Sequence, residues 1–95
     1  MPRHRRSDLP SDPAAVLRGL RRCRQDMIAI STKFQIGSPV YVAAHGITAA
    51  VDVMAEVLTG MRNYFWRASN SATDQERADS ARWAAIERGD EPWPR

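Results

Sequence analysis

PVYVAAHGITAAVDVMAEVLTGMRNYFWR, residues 39–67, decides how this chain folds. Val40, Ala44, Ile47, Val51, Met54, Leu58, Met61 and Phe65 recur at alternating spacings of four and three, the signature of an apolar helical seam. A second apolar row runs beside it through Val42, Gly46, Ala49, Ala50, Val53, Val57, Gly60 and Tyr64. At 100° per residue the two rows together cover roughly 220° of the helix circumference. The polar remainder is the narrow stripe His45, Asp52, Glu56, Thr59 and Asn63.

Upstream, Ser11-Asp12-Pro13 reads as a helix start, a capping side chain followed by proline at the first helical position. From there Val16, Leu20, Cys23, Met27, Ile30 and Phe34 form a matching seam. Gly37 offers a stop, and Ser38-Pro39 repeats the start signal at once. The expectation is two long helices, about 13–35 and 39–67, folded as an antiparallel hairpin. Both are too long for a compact DNA-reading helix-turn-helix.

A third helix is expected over about 74–88, with Thr73 and Glu76 at capping-box spacing and Gly89 as its stop. Its apolar stripe, Ala78, Ala81 and Ala85, is thin, so it must dock to persist. Residues 1–10 read as a basic arm and 90–95 as an extended tail, with a single helical domain, 11–89, between them. The fold class is therefore all-α.

One hairpin mate covers only one of the two apolar rows on the second long helix. The third helix can fold back over the other row, a second copy can pack there and complete a helical bundle, or a different protein can supply the cover. The third helix offers little besides alanine to an eight-position row, which favours a homodimer. The expected self-association surface is the second row itself, Val42, Gly46, Ala49, Ala50, Val53, Val57, Gly60 and Tyr64.

The 95 residues carry a net charge of +3, distributed as a gradient. Residues 1–35 hold eight Lys/Arg against three Asp/Glu, and residues 69–95 hold four against six. Thirteen of the 14 basic residues are arginine, a side chain suited to carboxylate and phosphate forks. Arg3, Arg5 and Arg6 in the arm, with Arg18, Arg21, Arg22 and Arg24 on the first helix, are the candidate contacts for an acidic protein partner. Nucleic-acid binding is the rival use of the same surface. Against it, those arginines spread over roughly half the helical wheel, and no stacking aromatics are interleaved with them.

Chemistry is poorly represented. His45 and Asp52 lie about 10.5 Å apart along one helix, too far to share an ion. Cys23 falls on the first seam, as a structural thiol does, and as the only cysteine it has no disulfide partner within the chain. No phosphate-binding glycine loop, nucleophile elbow or zinc-protease motif is present. The sequence thus predicts a non-enzymatic interaction protein with no cofactor, metal or small-molecule ligand. The lone thiol and the lack of 18 consecutive apolar residues give the expectation of a cytoplasmic protein away from membranes.

Among the late aromatics, Phe65 belongs to the seam, while Trp66 and Trp83 fall off the expected core stripes. Mutual packing that pins the third helix to the end of the hairpin is the favoured reading, ahead of an exposed binding anchor. A helical hairpin of this length invites comparison with secreted WXG-type proteins. The turn Gln35-Ile36-Gly37-Ser38 carries no Trp-x-Gly and no tyrosine follows Tyr64, so the sequence is not assigned to that family.

Overall fold

The computed structural model describes residues 9–66 and 73–94. Within them the chain is all-helical, with three α-helices and no strand: α1 (Pro13–Ser31), α2 (Pro39–Thr59) and α3 (Asp74–Arg88). A short 3-10 turn, Tyr64–Trp66, follows α2. The arm residues Arg3, Arg5 and Arg6 lie outside the described residues.

Local sequence accounts for every helix start. The Asp12 carboxylate accepts the Ala15 amide at 3.1 Å, with Pro13 at the first helical position of α1. Ser38 Oγ accepts the Tyr41 amide at 3.3 Å ahead of Pro39. At α3 the capping box is complete. Thr73 Oγ1 accepts the Glu76 amide at 3.1 Å, and the Glu76 carboxylate accepts the Thr73 amide at 2.9 Å. That bond holds the Glu76 carboxyl below its ordinary pKa.

Two helices end earlier than the periodicity predicts. α1 stops at Ser31 rather than near 35, and the Thr32 hydroxyl bonds back to the Ala29 carbonyl at 2.7 Å. α2 stops at Thr59 rather than 67, because Gly60 turns left-handed at φ 77° and its amide bonds to the Glu56 carbonyl. The heptad pattern runs straight through this cap because Met61, Tyr64 and Phe65 stay apolar after the backbone leaves the helix. Their side chains belong to the core by way of the 3-10 turn.

That core gathers at one end of the molecule. Leu17, Ala55, Leu58 and Tyr64 are buried, with Val16, Leu20, Met61, Phe65, Trp83 and Trp93 packed around them. Leu17 is fully enclosed although it lies off the predicted seam. It packs with Ala55 and Leu58 of α2 and with Tyr64 of the 3-10 turn. The contacts between α1 and α2 run in reverse order along the two helices. Leu17 packs near Ala55 and Leu58, whereas Arg24, further along α1, pairs with the earlier Asp52 at 2.8 Å.

The buried line on α2 is Ala44, Val51, Ala55 and Leu58, and alternate members of the predicted seam (Val40, Ile47, Met54) are exposed. The contact face is rotated toward Thr48 and Asp52. Small Ala44 and Ala55 admit α1 closely there, and Arg24 can reach Asp52.

Candidate functional site

α3 does not cover the second apolar row. It packs on α1, held by a clasp whose centre is Glu87. The Glu87 carboxylate, 9% exposed, accepts Arg21 Nε at 2.6 Å and Arg21 Nη2 at 2.9 Å, a two-point fork. Tyr64 donates its hydroxyl to the same carboxylate at 2.5 Å, and Arg18 Nη1 donates to the Glu87 carbonyl at 2.7 Å. Hydrogen bonding to Glu87 raises the Arg21 pKa above its ordinary value, against the opposing effect of partial burial. Edge-on aromatic contacts complete the fastening, Tyr64 to Trp83 at 5.8 Å and Trp83 to Trp93 at 5.3 Å between centroids.

The clasp redefines the basic surface of α1. Arg18 and Arg21 are directed to Glu87. Arg24 is paired with Asp52 and lies over the rings of Trp66, at 4.6 Å, and Phe65, at 5.6 Å. Of the four α1 arginines expected to contact a partner, only Arg22 is both exposed and outside a described ion pair or hydrogen bond. Sequence reasoning missed Glu87. A single glutamate near a helix C-terminus carries no motif, and its role becomes visible only when Arg21 and Tyr64 arrive from other elements.

With α3 placed on α1, one broad face of α2 is left to solvent. Val42, Val53 and Val57 are 59%, 60% and 67% exposed, and Gly46, Ala49 and Ala50 lie open between them. Ala43, Ile47 and Met54 extend this face on one flank. Gly60 and Tyr64, predicted as members of the row, do not belong to it. Gly60 is the left-handed cap, and Tyr64 is buried in the core.

Gly46 lies inside α2 with an ordinary helical backbone, and a Cβ added there meets nothing within 4 Å. Contacts within the chain therefore do not require glycine at this position. Its cost to the helix is about 1 kcal/mol relative to alanine.

The polar flank of α2 carries His45, Asp52 and Glu56. His45 stacks on Tyr41 at 4.3 Å, and Asp52 is taken by Arg24. Among the described residues the Glu56 side chain makes no hydrogen bond or ion pair, and no group of three metal-binding side chains is assembled. Cys23 is a free, half-buried thiol on α1.

Counting consecutive apolar residues left α2 short of a membrane span. Measured by mean hydropathy, Pro39–Thr59 is long and apolar enough to cross one, by length and composition alone.

Comparison of the sequence with protein-family models and with curated proteins, and of the structure with solved structures, finds no match.

Proposed function

We propose that this protein is a small helical interaction module, built on an antiparallel α1–α2 hairpin, that self-associates through the outer face of α2 and acts by presenting surfaces instead of by catalysis. The single observation carrying this reading is the uncovered row Val42, Gly46, Ala49, Ala50, Val53 and Val57. Covering the more than half-exposed Val42, Val53 and Val57 would be favoured by about 25 cal/mol per Å² of apolar area removed from water. The reversed order of α1–α2 contacts supports the antiparallel hairpin, and the position of α3 on α1 supports a cover from outside the chain. Cytoplasmic placement belongs to the same proposal and rests on the single cysteine, which suits a reducing compartment.

Light scattering of the full chain at micromolar concentration tests it. A dimer is expected, and Val53→Arg or Gly46→Leu should convert it to monomer while far-UV circular dichroism keeps its helical signal. A wild-type monomer overturns the proposal. Nucleic-acid binding through α1 draws less support, since three of its four arginines serve the chain's own acceptors.

A further inference from the structure

The outer face of α2 also holds information about how a second copy would lie on it. Resting on the self-association reading above, we infer that α2 pairs antiparallel with α2 of a second copy, about a two-fold axis between Ala49 and Ala50, with Val53 entering the notch at the partner's Gly46 and Glu56 facing the partner's His45.

Side-chain size is the first argument. An antiparallel pairing about that axis sets Val42 opposite Val57, Gly46 opposite Val53 and Ala49 opposite Ala50. Each large side chain beside the centre then meets the smallest available one, and this is the use of Gly46 that the isolated chain lacks. A parallel two-fold pairing would set glycine on glycine at one level and Val53 on Val53 at another. A gap and a crowded layer would lie about 10 Å apart on one rod.

Charge is the second argument, and it is independent of size. A two-fold axis perpendicular to antiparallel helices keeps like flanks on the same side of the pair. The polar flanks then share one edge, and the apolar flanks of Val40, Ile47 and Met54 share the other. Along the polar edge, His45 of one copy falls level with the gap between Asp52 and Glu56 of the other, about 3 Å along the axis from each. Asp52 already has Arg24, whereas Glu56 lacks a partner among the described residues. The contact occurs twice by symmetry. A parallel pair would instead lay each acidic flank against the other copy's exposed Ile47 and Met54, which is unfavourable for both.

Disulfide trapping in a Cys23→Ala background separates the alternatives. A mixture of the Val42→Cys and Val57→Cys proteins, treated with an added oxidant, should give mainly the mixed disulfide. Val42→Cys alone should stay uncrosslinked, because its two copies are about 22 Å apart along the axis in the antiparallel pair. His45→Glu should weaken association on the order of tenfold, and His45→Arg should not weaken it.

Crosslinking of Val42→Cys to itself in preference to the mixture, or a dimer by light scattering that crosslinks in neither arrangement, overturns this inference while leaving self-association standing. A monomer that crosslinks in neither overturns both. Association unchanged by His45→Glu overturns the pairing of Glu56 with the partner's His45.

Discussion

The two ends of α2 sit in different kinds of environment. From Val51 to Leu58 its inner side meets Leu17, the Tyr64 turn and the aromatic cluster around Trp83, and polar groups nearby are drawn into the Glu87 clasp. Toward Pro39 the buried contacts thin to Ala44, and Phe34 and Ile36 in the preceding turn are exposed. α3 strengthens the first end and does nothing for the second. Stability of the single chain is therefore concentrated where three helices converge, while the apolar surface left for a partner runs along the outside of α2. Folding and association use different residues of the same rod, so they can be broken separately.

Leu17→Ala should produce the largest effect on the closed end. The side chain is fully enclosed between elements, and removing it should cost about 3 kcal/mol, read as a lower denaturation midpoint. Glu87→Ala should cost less, about 2 kcal/mol. It strips the acceptor from Arg21 and the Tyr64 hydroxyl together, but the Arg21 side chain is 39% exposed and can recover water. Both substitutions act on the single chain and should lower the midpoint of a Val53→Arg monomer as much as that of the wild type. Val53→Arg itself should leave that midpoint nearly unchanged when measured at concentrations where wild type is also dissociated. A midpoint that falls with Val53→Arg under those conditions would show that the outer face is part of the single chain's core.

Much of the architecture was legible in the sequence because it is written locally. Asp12-Pro13, Ser38-Pro39, Thr73 with Glu76, and Gly89 are read over four residues or fewer, and each sits where its backbone chemistry requires. The apolar excess on α2 was legible too, since it needs only helical geometry. What the sequence could not disclose depended on placement across the chain. Leu17 joins the core through Ala55, Leu58 and Tyr64, which arrive from α2 and the turn that follows it. The α1 arginines, which read as a free basic surface, are taken up by Glu87 and Asp52, 66 and 28 residues away from Arg21 and Arg24. The seam through Gly60 misled for a different reason: apolar periodicity reports which side chains are wanted in the core, and the backbone can deliver them after the helix has ended.

The smallest expected effect compares the two ends of α3. At its start, the Glu76 carboxylate is held in the charged form by the Thr73 amide, so its folded pKa is depressed. The contribution of this bond is complete above the ordinary carboxylate range and is lost as pH falls through the folded value. At its other end the helix is fastened by separate bonds, the Arg21 fork and the Tyr64 hydroxyl on Glu87, which do not involve Glu76. Acid below the ordinary carboxylate range should accordingly loosen the first turn of α3 at Thr73. Amide hydrogen exchange, corrected for the intrinsic effect of pH, should show protection at Arg77 and Ala78 falling as Glu76 is protonated. Glu76→Gln should flatten that response near Thr73 without moving the exchange of the last turn. If both ends loosen together, α3 unfolds as one unit with the clasp, and its capping box has no separate influence on how the helix opens.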